Sequence, residues 1–189
     1  MKIALLGYGT VGRGVDQIIR DRVGSVEVAR ILELPDRLSD PRMTSDYNEI
    51  VSDPDIDLVV ECMGGVEPAH TFIMRALASG KHVVTSNKAV VAAHFAEFAE
   101  AALYNRVSLF IEASVGGGIP WIAGIEKARR VDEISSFKGI MNGTTNYIVY
   151  QMLKDGAEFA DVLAEAQELG YAERDPSADI DGIDVMNKT

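Results

Sequence analysis

Apolar runs alternate with helix-like patterns over the first two thirds of the chain. Uninterrupted runs such as residues 3–6 and 58–60 are typical of parallel strands that are buried on both faces. Between them, apolar residues recur at the spacing of one helix face, as at Val11, Val15 and Ile18. Predicted strands lie at residues 3–6, 26–32, 58–62, 82–85 and 107–111, and predicted helices follow the first strand and lie at 44–51, 68–79 and 89–103. This alternation predicts an α/β fold with a doubly wound parallel sheet.

The pattern changes after about residue 130. Residues 133–141 alternate between apolar and polar, which predicts a strand with one wet face. Two predicted helices follow at 144–154 and 159–169, each ended by a glycine. We therefore expect a dinucleotide-binding domain at residues 1–130 and the N-terminal part of an α+β substrate domain at 131–189. The last residues resemble the opening turns of a helix, so we expect the chain to end inside that second domain.

A glycine turn connects the first strand to the first helix. Gly7, Gly9 and Gly12 have the spacing of a dinucleotide-binding turn. In that motif the first glycine permits the turn, the second lets a pyrophosphate approach the backbone, and the third lets the helix pack close to the strand. The helix N-terminus offers N–H groups to the phosphates. A glycine-rich turn without a ligand is the alternative, but both flanks favour a Rossmann domain that binds NAD or NADP.

The choice between NAD and NADP depends on residues after the second strand. Glu33 lies where such folds commonly place an acidic group on the ribose hydroxyls, which favours NAD. Arg37 and Arg42 follow in a loop and suit the extra phosphate of NADP. Solvated loop charges explain all three residues equally well, so the sequence leaves the cofactor open.

Composition excludes several classes of function. The net charge is −11, with 18 Lys and Arg against 29 Asp and Glu, which argues against a nucleic-acid partner. No apolar run approaches the roughly 20 residues of a membrane span, and the N-terminus has no signal pattern, so we expect a cytoplasmic protein. Cys62 is the only cysteine and is expected to be a buried thiol, which makes a cysteine-based zinc site implausible. The three histidines, His70, His82 and His94, are expected to be structural.

Six motifs in chain order resemble homoserine dehydrogenase. They are GYGTVG at 7–12, ECMGG at 61–65, TSNKA at 85–89, EASVGGGIP at 112–120, NGTTNY at 142–147, and GYAE at 170–173 continuing to DGID at 181–184. The resemblance implies NAD- or NADP-dependent interconversion of L-homoserine and L-aspartate 4-semialdehyde, in the biosynthesis of threonine, isoleucine and methionine. It also implies a homodimer for the full-length enzyme.

The resemblance also implies roles for individual residues. Lys188 matches the proposed proton donor, Lys88 a second active-site lysine, and Asp184 a carboxylate that orients Lys188 or binds the substrate. The implied substrate ligands are Glu173, Asp179, Asp184 and Thr144, and the implied cofactor contacts are Gly7, Gly9, Thr10, Val11, Gly12, Glu33, Gly64, Thr85 and Lys88. Simpler interpretations remain for some of them: an exposed helical ion pair for Asp184 and Lys188, and a helix cap for Thr144.

The stretch at 112–120 is a different kind of candidate. The resemblance implies a structural sodium ion held by Glu112 and by the backbone carbonyls of Val115, Gly117 and Ile119, and hard cations do prefer oxygen ligands. A plain glycine hinge is the alternative.

We therefore predict a homoserine dehydrogenase chain with little or no activity as this 189-residue polypeptide. The alternatives are a cofactor-binding fragment without catalysis and another Rossmann oxidoreductase acting on a small amino acid or sugar.

Overall fold

The computed structural model describes all 189 residues, which form two compact units, Met1–Ile122 and Ala123–Thr189. The strands are β1 (Lys2–Leu6), β2 (Glu27–Leu32), β3 (Met43–Thr44), β4 (Ile56–Glu61), β5 (His82–Thr85) and β6 (Leu109–Phe110). The helices are α1 (Thr10–Arg22), α2 (Asn48–Val51), α3 (Ala69–Ala78), α4 (Lys88–Asn105), α5 (Trp121–Arg129), α6 (Gly143–Asp155), α7 (Phe159–Glu168), α8 (Ser177–Ile180) and α9 (Ile183–Met186). Short 3₁₀ turns lie at Pro35–Arg37 and Glu112–Ser114. The first unit ends near the start of α5, whereas the expected boundary at residue 130 placed that helix in the first domain.

The first unit is a six-stranded parallel sheet with the order β3-β2-β1-β4-β5-β6. The strand order reverses between β1 and β4, and ligands of such sheets bind outside the carboxyl ends of the strands at this point. The predicted doubly wound sheet is confirmed. The predicted helix at 44–51 is wrong at its start, because the backbone there pairs with β2 to form β3: Glu33 N–H donates to the Thr44 carbonyl over 3.0 Å.

Alternate residues of β1 bury into opposite layers. Ala4 and Leu6 pack in the layer that contains α3 and α4 residues such as Ile73 and Phe98. Ile3 and Leu5 pack in the other layer, against α1. Each fully buried Leu or Ile side chain contributes about 1.5–3 kcal/mol. Both layers therefore hold β1 at the centre of the sheet and fix the position of the glycine turn that follows it.

The second unit is helical. Its core is Ile148 of α6, Val162 and Ala166 of α7, and Ala172. The predicted helix ends are confirmed: Gly156 and Gly170 have left-handed φ values of 65° and 77°. The predicted strand at 133–141 is wrong, because this unit contains no second strand to accept its hydrogen bonds and residues 131–140 are exposed.

No helix of the structure combines the length and the apolar character that crossing a membrane requires.

Candidate functional site

The glycine turn after β1 is shaped by close backbone approach. A Cβ atom at Gly12 would lie 2.2 Å from the Gly7 carbonyl oxygen, so only glycine fits there. Gly7 adopts φ 91°, which also favours glycine. A Cβ at Gly9 would meet nothing within 4 Å, and no side chain caps the N-terminus of α1, which begins at Thr10 and continues through Val11. The turn therefore offers open backbone and unsatisfied helix N–H groups, which suit a pyrophosphate.

A cavity of about 450 Å³ lies beside this turn. Glu33 is fixed at its edge, because Oε2 accepts the Tyr8 N–H over 3.0 Å and Oε1 accepts the Leu34 N–H over 2.9 Å. Arg37 lines the same cavity and Arg42 does not. The cavity is lined by Gly7, Tyr8, Gly9, Leu32, Glu33, Leu34, Pro35, Arg37, Ser45, Cys62, Met63, Gly64, Pro68 and Phe72.

Arg42 is held by two carboxylates behind the turn. Its guanidinium contacts both Asp16 oxygens over 2.9 and 3.0 Å and Asp40 over 2.8 Å. The Asp16 carboxylate, which is buried, also accepts the Tyr8 hydroxyl over 2.6 Å. Hydrogen bonds from Arg42 lower the pKa of Asp40 to about 2 and also lower the pKa of Asp16. The sequence-based reasoning missed this cluster, although an Asp facing one side of α1 among apolar neighbours was a signal for a buried partner.

A buried carboxyl group ties together the carboxyl ends of β4 and β5. Glu61, at 0% exposure, accepts the Thr85 hydroxyl over 2.5 Å and the Met63 N–H over 2.6 Å. Asn87 caps α4 at Val90 and donates to the Gly65 carbonyl over 2.7 Å. Burial raises the pKa of Glu61. The loops that carry the expected contacts Gly64, Thr85 and Lys88 are therefore linked through Glu61, which the sequence-based reasoning did not single out.

Cys62, expected to be a buried thiol, is partly buried beside this carboxyl group. Burial raises the pKa of the Cys62 thiol to about 11, with a further contribution from Glu61. The thiol is protonated at neutral pH and is a poor nucleophile.

A second cluster lies within the second unit. The side-chain amide of Asn142 donates to Asp179 Oδ1 over 2.6 Å and to Asp184 Oδ2 over 2.7 Å. Lys188 Nζ donates to the same Asp184 oxygen over 2.6 Å and to the Met141 carbonyl over 2.8 Å. The structure thus brings together two implied substrate ligands and the implied proton donor.

This cluster borders a cavity of about 620 Å³. The cluster contains two carboxylates, Asp179 and Asp184, and one ammonium group, Lys188, so its formal charge is −1. Its Asp184 and Lys188 side chains are only 7% and 19% exposed, which rules out the simple exposed ion pair. The lining residues are Asn142, Gly143, Thr144, Asn146, Tyr147, Tyr150, Gly170, Tyr171, Asp179, Asp184 and Lys188.

Thr144 lacks the helix-capping role that was its alternative interpretation, and Glu173 lies away from the cavity. Thr144 does not cap α6; the cap is Asn142, whose Oδ1 accepts the Thr145 N–H over 2.7 Å. Instead, the Thr144 hydroxyl lies 2.9 Å from Asp179 Oδ2 and 2.7 Å from the Tyr171 carbonyl. Glu173 is exposed and does not line the cavity, so the structure does not bring it into the cluster.

Two of the four acceptors named for a sodium ion already bind backbone N–H groups. Glu112 Oε1 accepts the Ile122 N–H over 3.1 Å, and the Ile119 carbonyl accepts the Trp121 N–H over 2.8 Å. Gly116 and Gly117 have positive φ values of 74° and 59°. The sodium site, made of Glu112 and the carbonyls of Val115, Gly117 and Ile119, stays a prediction.

The two units match two family models in the same order. Residues 7–112 match the homoserine dehydrogenase NAD-binding domain, and residues 120–189 match homoserine dehydrogenase. The first match alone spans more than half of the chain. The chain belongs to the homoserine dehydrogenase family. The match confirms the family resemblance and the expected NAD(P)-type cofactor domain.

Relatives support this membership over the whole chain. It is 48% identical to a homoserine dehydrogenase of Synechocystis over 200 residues, which covers 100% of this chain and 46% of that protein. It is 38% identical to the homoserine dehydrogenase of Bacillus subtilis, covering 100% of this chain and 47% of that protein. The chain thus spans about half the length of these relatives.

Solved homoserine dehydrogenases have the same architecture. The structure from Thiobacillus denitrificans superposes with a TM-score of 0.92 at 41% identity, covering 100% of this chain and 47% of that one. A hyperthermophilic archaeal homoserine dehydrogenase in complex with NADPH superposes with a TM-score of 0.87 at 28% identity, covering 99% of this chain and 66% of that one.

Proposed function

We propose that this chain supplies the cofactor-binding and substrate-binding residues of a homoserine dehydrogenase. The reaction is the NAD- or NADP-dependent interconversion of L-homoserine and L-aspartate 4-semialdehyde. The observation that carries the proposal is the partly buried cluster of Asn142, Asp179, Asp184 and Lys188, within the residues that match the family's own model. A cytoplasmic location, and a homodimer for the full-length enzyme, belong to the same proposal.

The charge of the cluster suits an amino-acid substrate. Asp179 and Asp184 share the Asn142 amide, and Lys188 neutralises one of the two carboxylates. A substrate ammonium group would neutralise the other carboxylate, Asp179. Its charged hydrogen bond would compensate for the water that both groups lose on binding. The Thr144 hydroxyl, 2.9 Å from Asp179, holds that carboxylate in place.

Lys188 is the proposed proton donor and acceptor at the reacting oxygen. Its Nζ is oriented by Asp184 and by the Met141 carbonyl over 2.6 and 2.8 Å, which leaves its third N–H for a ligand in the cavity. An ammonium group at this place stabilises the charge that develops on an alkoxide and donates a proton to it.

The first unit supplies the dinucleotide site in this proposal. When bound, the nicotinamide of NAD or NADP exchanges a hydride with the reacting carbon. The open backbone at Gly9 and the uncapped N-terminus of α1 suit the pyrophosphate. Glu33 suits the ribose hydroxyls and Arg37 suits an added phosphate, while Arg42 is already bound by Asp16 and Asp40. The proposed cofactor contacts remain those named from the sequence.

Calorimetry with the chain tests the proposal without depending on turnover. We expect saturable binding of NADH or NADPH and of L-homoserine. Asp184→Asn removes one of the two carboxylates, and with it the net negative charge that suits the substrate ammonium group. Affinity for L-homoserine should therefore fall about 10- to 150-fold, as loss of about 1.5–3 kcal/mol implies. Cofactor affinity should not change.

Asp181→Asn is the matched control, because Asp181 is an exposed carboxylate three positions away in the same acidic stretch. This control should bind L-homoserine as the unmodified chain does. Equal losses in both variants would contradict the proposed role of Asp184. Binding of a different small alcohol in place of L-homoserine would favour another oxidoreductase.

A further inference from the structure

Two histidines and two glutamates meet where α3 and α4 pack together. The His70 and His94 rings lie side by side, with centroids 4.1 Å apart. His70 Nε2 lies 2.9 Å from Glu97 Oε2, and His94 Nδ1 lies 3.4 Å from the same oxygen. His70 Nδ1 lies 3.0 Å from Glu67 Oε1. None of these residues belongs to the motifs or cavities described above.

The spacing of the ligand atoms is close to that of a coordinated ion. One ligand atom from each of His70, His94 and Glu97 lies within 4.8 Å of the other two. Ligands of a tetrahedral zinc ion, bonded at about 2.0–2.1 Å, lie about 3.3–3.5 Å from one another. Small side-chain rotations would bring the three atoms to these distances. Two imidazoles with one carboxylate form a known ligand set for zinc, with water as the fourth ligand.

Glu67 provides the hydrogen bond that metal-binding histidines usually have. A ligating imidazole almost always donates its other N–H to a carboxylate or carbonyl, which fixes the tautomer and the ring orientation. Glu67 Oε1 is placed to accept from His70 Nδ1, which leaves the lone pair of His70 Nε2 directed toward Glu97. Glu67 is itself held by the Thr71 hydroxyl over 2.9 Å.

The charges and the exposure also suit a divalent cation. Glu67 and Glu97 carry two negative charges, which a divalent ion bound between neutral imidazoles would balance. The His70, His94 and Glu97 side chains are 21%, 32% and 48% exposed, so an ion can reach them from solvent. The backbone of α4 leaves helical geometry at His94, with φ −134° and ψ 15°.

We propose that His70, His94 and Glu97 bind a divalent transition-metal ion of the zinc type, with Glu67 orienting His70. The ion would connect α3 to α4 and so stabilise the first unit, since a ligand that binds only the folded state shifts the unfolding equilibrium. This site differs from the sequence-based expectation that all three histidines are purely structural. It is independent of the proposed function.

Zinc titration of the metal-free chain tests the proposal. We expect saturable binding of one Zn²⁺ per chain by calorimetry, and a Tm that rises with Zn²⁺ concentration. Cobalt substitution should give visible absorption bands typical of a tetrahedral site. His70→Ala and His94→Ala should abolish both signals, and Glu67→Gln should weaken affinity by about 10-fold or more, as loss of an orienting carboxylate does.

His82→Asn is the matched control, because His82 is the only other histidine and lies in β5, where its Nδ1 accepts the Ser108 N–H over 2.9 Å. The asparagine oxygen can accept the same bond, and zinc affinity should be unchanged. Glu97→Gln, which preserves the side-chain size, should lose binding while the circular dichroism of the chain stays native. Absence of saturable binding, or equal affinity in His94→Ala and the unmodified chain, would overturn the site.

Discussion

The two candidate sites are made from different parts of the polypeptide. In the first unit, the glycine turn offers backbone groups: the open face at Gly9 and the uncapped N-terminus of α1. In the second unit, the cavity is defined by the side chains of Asn142, Asp179 and Lys188. One site therefore depends on space near the main chain, and the other depends on charges and hydrogen-bond donors.

This difference predicts different responses to substitution. A backbone-built site fails when a side chain enters the space that the backbone needs, whatever the chemistry of that side chain. A site built from buried polar side chains fails when a donor becomes an acceptor, even if the shape is unchanged. Each kind of site can be tested by a small substitution with a matched control.

Gly12→Ala should have the largest effect. Its Cβ would lie 2.2 Å from the Gly7 carbonyl oxygen, a backbone atom that moves only if the turn moves. We expect a loss of about 3 kcal/mol in the free energy of unfolding of the first unit, at the upper end for overpacking. Affinity for NADH and NADPH should be lost with it. Denaturant unfolding and cofactor fluorescence titration measure the two effects.

Gly14→Ala is the control for this prediction. Gly14 lies two positions along the same helix, and a Cβ there would meet nothing within 4 Å. Because alanine favours helices over glycine by about 1 kcal/mol, this variant should be slightly more stable and should bind cofactor normally. If both variants behaved alike, steric space at Gly12 would not be the factor that defines the site.

Asn142→Asp should have the next largest effect, on the second unit. Aspartate caps helices as well as asparagine does, so the start of α6 should be preserved. The substitution replaces the amide donor with a third carboxylate beside Asp179 and Asp184. We expect a loss of about 2 kcal/mol in the free energy of unfolding, since buried acceptors lose their donor. Affinity for L-homoserine should fall as well.

Asn142→Ser separates the loss of the amide donor from the effect of the added negative charge, because serine also caps helices but adds no charge. It should lose less stability than Asn142→Asp. The opposite ranking would show that the added negative charge beside Asp179 and Asp184 does not destabilise the cluster.

The backbone-built site was largely predictable from the sequence, because its residues are consecutive. Buried parallel strands produce apolar runs, and the glycine spacing follows the first run directly. The unpredicted strand of the first unit is β3: two residues pair with β2, a length too short to leave a periodic pattern.

The side-chain cluster was predictable only through family resemblance. Asn142, Asp179 and Asp184 are separated along the chain, and nothing in their local pattern shows that one amide bonds both carboxylates. The prediction of a strand at 133–141 was wrong for a related reason. Alternation of apolar and polar residues describes the two faces of a segment, but not whether a neighbouring strand is available to pair with it. Contacts between residues far apart in the sequence therefore decide both whether the Asn142 cluster forms and whether residues 133–141 form a strand.

The contrast between the two sites is not absolute, because the side chain of Arg42 also supports the glycine turn. Its bonds to Asp40 and Asp16 lie behind Tyr8, a residue of the turn itself.

The pKa of Asp40 is lowered to about 2 by hydrogen bonds from Arg42, so the stabilising contribution of Asp40 is present above about pH 4 and is lost as the pH falls toward 2. We expect about 1 kcal/mol from this pair in that window, allowing for its partial exposure. Denaturant midpoints measured from pH 5 to pH 2 should fall less steeply for Asp40→Asn than for the unmodified chain. The exposed loop residue Asp36, replaced by asparagine, should leave the slope unchanged. Parallel slopes for Asp40→Asn and the unmodified chain would mean that the Asp40–Arg42 pair does not stabilise the first unit, and Asp16 would then be the only carboxylate through which Arg42 supports the turn.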